Sequence, residues 1–258
     1  MGAKPRLIYD NLWRQGTMGT LTVAPLLSSE DSKHPATDTQ IDTLEMYWKA
    51  SDLTSPVTIP INQGATWGAI DFVAILGHNI EGGTTITFEG DTGTGFAGGG
   101  HVSRPITLNA TNIFQFFTAF TKQYVQLRLV KAGGFATHPQ IATILCGSYV
   151  ELNRRFAPEY EIGEEDFSEG EYSDSQVLFA QEKETLNIRR YSYQALNSAS
   201  ITEILLMFEE CKTVNAYIFC LNYKNPNSYT LWVRNSELNS PVCRNGVWYW
   251  DMAIKEVR

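Results

Sequence analysis

The chain has 258 residues, of which 43% are hydrophobic, 12% aromatic and 19% charged, with a formal net charge of -8. That apolar content excludes global disorder, and the acidic balance argues against a broad grip on phosphate backbones or anionic lipid, which needs clustered Lys and Arg. No stretch approaches the ~18 consecutive apolar residues of a membrane span, and residues 1–10 lack an apolar core followed by a cleavage site, so a soluble chain made in the cytoplasm is expected, with neither nucleic acid nor membrane as partner.

Along the first 156 residues, Gly, Pro, Ser, Thr and Asn separate short runs rich in Val, Ile, Thr, Phe and Tyr, the rhythm of an all-β sandwich. Strands are expected at 19–24, 57–61, 69–76, 84–89, 113–117, 124–131, 141–145 and 148–152. Residues 84–89 alternate with period two, as a half-buried strand does. Phe72 to Leu76 is apolar on both faces, as a strand covered on each side would be. Ile113, Phe116, Phe117 and Phe120 fit a helical period as well as a strand, and the aromatic and β-branched content favours the strand.

Between Glu159 and Glu171 lie seven acids and no Lys or Arg, so this window carries -7 of the net -8. A like-charged run holding Gly163 and Gly170 is expected to be a solvated connector. The expected organisation is therefore a sandwich over 1–156, an acidic linker over 157–171 and a smaller α+β assembly unit over 172–258, in a mainly β chain. In the last unit, 176–180 and 185–193 flank 181–184 as a hairpin. Ser200 and Glu203 have the spacing of a capping box ahead of an apolar stripe of Ile201, Ile204, Leu205 and Phe208. Strands follow at 216–223, 229–234 and 247–254, the first two separated by a Lys224–Ser228 turn, and Trp248, Trp250, Met252 and Ile254 share one face of the last.

Few residues announce chemistry. Gly93, Gly95 and Gly98 match GxGxxG, but a dinucleotide site needs the third glycine to open a helix, and Gly98-Gly99-Gly100-His101-Val102-Ser103-Arg104-Pro105 does not start one; a glycine loop between strands is expected. The four histidines lack a second ligand at metal spacing, and Cys146, Cys211, Cys220 and Cys243 read as buried thiols. No cofactor, metal site or catalytic signature is legible. Trp48 and Trp67, in loop-like surroundings, could offer flat faces to sugar rings, with His78, Asn79 and Asp91 as polar partners near one loop end.

Three stretches, residues 6–13, His34-Pro35-Ala36 leading to Tyr47-Trp48-Lys49-Ala50, and 70–80, resemble the discoidin-like, galactose-binding-like jelly-roll of tailed-bacteriophage virion and minor tail proteins. Residues 124–129, 139–142 and 147–152 are similar to that family's closing strands. The resemblance implies a jelly-roll joined to the C-terminal unit in a non-enzymatic structural component of a phage particle, at the tail or its tip. It implies assembly in the host cytoplasm as a ring-type homo-oligomer contacting other virion proteins. A glycan-binding adhesion module recognising host-surface carbohydrate is the alternative on the same scaffold. A glycoside-cleaving tail enzyme is the least favoured.

Overall fold

The computed structural model describes residues 4–15, 30–64, 68–96, 98–154, 156–166, 169–172, 178–181 and 185–257, with backbone alone over 156–187. The expected strand at 19–24 lies outside the described residues. Two compact units emerge, residues 1–150 with 220–230, and residues 151–219 with 231–257.

The first unit opens with β1 (Arg6–Ile8) and a one-turn helix α1 (Leu12–Gln15), then a 3₁₀ turn (Ala36–Gln40). Its strands are β2 (Trp48–Lys49), β3 (Val57–Asn62), β4 (Ala69–His78), β5 (Thr85–Asp91), β6 (Val102–Ile106), β7 (Ile113–Thr121), β8 (Tyr124–Val130) and β9 (Gln140–Gly147). They form two antiparallel sheets in the orders β2-β9-β4-β7 and β3-β8-β5-β6. The core lies between them: Val73, Ile75, Ile141 and Ile144 from one sheet meet Ile59, Phe88, Leu127 and Leu129 from the other. Burying such side chains is worth roughly 1.5–3 kcal/mol each against exposure, which is why two sheets with alternating apolar strands close on one another.

Phe72–Leu76 is buried on both faces, as its composition predicts. A bulge between Ile70 and Phe72 shifts the parity of β4. On the face away from the core, the Phe72 ring lies 4.7 Å from Phe116, and Phe116 packs edge-on to Tyr149 and Tyr223. The Arg6 guanidinium lies 3.6 Å from the Tyr223 ring centre and 3.7 Å from that of Tyr149. Gly77, at φ +59, turns the end of β4; a Cβ there would stand 2.8 Å from that of Ala142. The phenylalanine-rich segment is a strand, and the GxGxxG segment supplies bends and turns among its described residues.

After β10 (Val150–Glu151), the acidic run departs from expectation: it is β11 (Phe156–Asp166) and β12 (Glu169–Tyr172). β13 (Leu178–Gln181) and β14 (Thr185–Leu196) exist as predicted but do not pair with one another: β12 pairs β13, nested inside a longer pairing of β11 with β14. In that register Glu161 stands opposite Arg190, while Glu164, Glu165 and Asp166 stand opposite the uncharged Asn187, Leu186 and Thr185, so strand pairing rather than a solvated connector accommodates the run.

Helix α2 (Ser198–Cys211) is capped by Asn197, whose side chain accepts from the Ser200 amide, rather than by Ser200; the Ser200 hydroxyl donates to Asn153 instead. Its buried residues include Ile201, Ile204, Met207 and Cys211, so Leu205, expected in the stripe, is exposed. Next come β15 (Tyr217–Cys220), a short helix α3 (Pro226–Tyr229), β16 (Thr230–Glu237), β17 (Val242–Arg244) and β18 (Val247–Glu256). The second unit's sheet runs β16-β18-β14-β11, with β17 also on β18. α2 covers one face, where Phe208 meets Trp250 and Trp250 stacks on Tyr193. Residues 220–230 belong to the first unit; within it, Asn227 accepts the Phe114 amide. Three cysteines are buried as expected, whereas Cys243, on β17, is exposed.

Candidate functional site

Among the described residues, those singled out by sequence do not converge on one site. Trp48 is fully buried in the sandwich core, with no face open to a ligand. Trp67 lies outside the described residues. His78 and Asn79 sit where β4 finishes, whereas Asp91 ends β5, at the opposite end of the sandwich because β5 returns antiparallel after the turn at 79–84.

Asp91 is 4% exposed and accepts the amides of Thr92 and Gly93. Burial pushes its carboxyl upward, and the amides of Gly93, Thr92 and Gly98 outweigh that and hold it below the ordinary value. It organises the glycine loop from beneath. Beside it, Glu89 accepts from Gln126 at 2.6 Å and from Thr87 at 2.8 Å.

At the other end, Asn79 spends both halves of its amide on the chain: Nδ2 donates to the His138 carbonyl and Oδ1 accepts the Gln140 amide. His78 Nδ1 accepts the Ile80 amide, and burial lowers its pKa. Glu81 pairs with Lys131 and accepts from the Thr137 hydroxyl at 2.8 Å, while His138 Nδ1 bonds the Ala50 carbonyl. These side chains build the loops and fix their register to β9 and β2.

What those loops present is a different set. His34 and Tyr47 stack with ring centres 4.2 Å apart and planes 12° apart, both partly exposed. Next to them Lys49 pairs with Asp31 at 3.6 Å, each side chain about 30% exposed. Backbone bonds from the Lys49 amide to the His34 carbonyl and from the Asp31 amide to the Lys49 carbonyl tie segment 31–34 to β2. The Lys33 amide, with Lys49 and His34 close by, holds the Asp31 carboxyl below its usual range. Gln140, opposite Lys49 on β9, extends the polar surface. An aromatic pair beside a pure acceptor, a pure donor and an amide can meet the C–H face and the hydroxyls of a polyol together. The sequence carried a signal for this set: successive side chains alternate along a strand, so a core position for Trp48 sends Tyr47 and Lys49 the other way.

No protein-family model matches the chain, and no curated protein does. Among solved structures it is similar to chitosan-binding module 1 derived from a chitosanase/glucanase of Paenibacillus sp. IK-5, with 16% identity, a TM-score of 0.39, and 54% of this chain and 98% of that chain covered. It is also similar to the family 32 CBM from C. perfringens NanJ, solved with galactose, at 14% identity and a TM-score of 0.39 over 57% of this chain and 99% of that one. Chitosan-binding module 2 of the Paenibacillus enzyme, solved with chitotriose, gives 13% identity and a TM-score of 0.38 over 47% and 92%. At this distance the likeness assigns no ligand to this chain.

Proposed function

We propose that the chain is a non-catalytic glycan-binding protein that recognises host-surface carbohydrate through the end of the sandwich where β4 finishes. The observation that carries this reading is the stacked His34–Tyr47 pair flanked by Lys49 and Asp31. Tyr47 supplies the apolar platform, Lys49 and Asp31 bind hydroxyls as donor and acceptor, and Asn79 and Glu81 hold the loops that frame them. An array of bacterial surface glycans probed with the whole chain tests it. A defined subset of glycans should bind, and Tyr47→Ala and Lys49→Ala should each weaken that binding about tenfold, the loss of roughly 1.4 kcal/mol.

A second reading is favoured by one feature of the other unit. Leu205 and Leu206 on α2 are 49% and 45% exposed, and Val214 just beyond is 69% exposed, the kind of apolar surface that an assembly interface covers. Together with the phage-tail resemblance of the sequence, this supports a virion component, assembled in the host cytoplasm as a ring with other virion proteins. Native mass spectrometry of the purified chain tests it: a discrete closed oligomer disrupted by Leu205→Glu supports the reading, and a monomer that binds no virion protein contradicts it. The two readings are compatible, since an adhesion module can be carried on a particle.

A further inference from the structure

The face of the second unit's sheet turned away from α2 holds a pocket of about 490 Å³, within the ~300–1,000 Å³ of small-molecule sites. Its floor is a patch of neighbouring strands in register. Ser192 faces Asp251 across β14 and β18, Gln194 faces Tyr249, and Val242 on β17 flanks Tyr249 from the other side. Because side chains alternate along β18, Tyr249 and Asp251 share this face while Trp250 and Met252 are buried on the other. The loop after β16 closes one side with Leu238, Asn239 and Ser240, and Arg244 stands near the Asn245-Gly246 turn.

Two irregularities shape this wall. The β14–β18 register slips between Gln194 and Leu196, where Ala195 takes φ +55, and the β16–β18 register slips between Asn235 and Glu237. Bulges of this kind bend a strand and re-aim its side chains. Here they lie beside residues that line the pocket, Gln194 on one strand and Leu238 just beyond the other.

The chemistry of the lining is specific. Among the described residues that line it, Arg244 and Asp251 are the charged ones, and their charges offset each other. Asp251 accepts from the Ser192 hydroxyl at 2.6 Å and keeps further acceptor capacity, Arg244 only donates, and Gln194 and Asn239 do both. The Tyr249 ring, with exposed Leu238 and Val242, adds an apolar surface. A hydroxyl both donates and accepts, so a polyhydroxylated ring uses all of these groups at once, whereas an anion or a cation would leave either Asp251 or Arg244 opposed to it.

We propose that this pocket is a second ligand site, separate from the sandwich end, that takes a neutral sugar ring as a free hexose or as part of a short neutral oligosaccharide. The test uses the whole chain carrying Tyr47→Ala, so that binding at the sandwich end is weakened, titrated by saturation-transfer NMR with D-glucose, D-galactose, N-acetyl-D-glucosamine and glycylglycine, and with inorganic phosphate followed by phosphorus NMR line broadening for comparison. At least one neutral sugar should bind saturably, and adding Tyr249→Ala or Arg244→Gln should weaken it about tenfold. Arg244 is exposed, so its substitution leaves folding intact if Tyr249→Ala does not. Binding of none of the three sugars, stronger binding of phosphate or the dipeptide, or sugar binding unmoved by Arg244→Gln would overturn the proposal. Wild-type sugar binding that survives Tyr47→Ala unchanged but is lost with Arg244→Gln would support this site while removing the one at the sandwich end.

Discussion

The two units solve the burial problem differently, and the difference decides where each can bind anything. In the sandwich, two four-stranded sheets seal their apolar faces on each other, and the outer face of β4 is sealed too, by Phe72 against Phe116 and by rings gathered around Arg6. What remains for recognition is the loops at the ends, and their polar side chains divide between holding the loops and presenting a surface. The second unit covers its sheet with one helix on one side and leaves the other side to a polar pocket. A closed sandwich recognises with its edges, and a half-covered sheet with its face.

That contrast can be broken at several points. The largest effect belongs to the sandwich core: Trp48→Ala removes a fully buried ring and should cost about 3–5 kcal/mol, read as the loss of the sandwich's denaturant transition. A mutant of near wild-type stability would place Trp48 on a surface after all. Asn79→Ala should cost about 0.5–1.5 kcal/mol, because the Gln140 amide and the His138 carbonyl exchange their side-chain partner for water. It should also weaken glycan binding, with amide exchange rising first across residues 137–140. In the second unit, Asn197→Ala should lower stability by about 1 kcal/mol without touching glycan binding at the sandwich end, and Asn197→Asp should restore it.

The smallest expected effect is a pH dependence. Burial depresses the His78 pKa below its ordinary 6.5, so the unfolded chain takes up a proton first as pH falls. The contribution to stability is whole above about pH 6.5 and is lost as pH drops toward the folded pKa. Urea midpoints measured across that window should fall with pH, and His78→Gln should flatten the slope.

Composition and periodicity carried the strands well, since the alternation in β5, the doubly apolar run in β4 and the turn residues between them are local properties. They misread the acidic run because backbone pairing is not local: the partner that sets Arg190 opposite Glu161 lies 29 positions away. The helix was legible and its cap was not, since Asn197 and Ser200 both suit the role and only Asn153, holding the Ser200 hydroxyl, separates them. Among the site residues, Trp48 misled because a tryptophan between polar neighbours fits a loop platform as readily as a core anchor. His34 and Tyr47 form a stacked pair, and two rings 13 positions apart leave no spacing signal. The turn at Asn245-Gly246 brings Arg244 round to Val247 at the edge of the pocket, and a dipeptide of this type suits a tight hairpin.

Whether the sandwich end presenting Tyr47 binds carbohydrate is decided by isothermal titration of the wild-type chain and Tyr47→Ala with the strongest glycan from an array. The wild-type chain should give a saturable isotherm and Tyr47→Ala an affinity about tenfold weaker, with an unchanged unfolding midpoint. A Tyr47→Ala chain that is fully folded and binds as tightly as the wild type would contradict binding at that end.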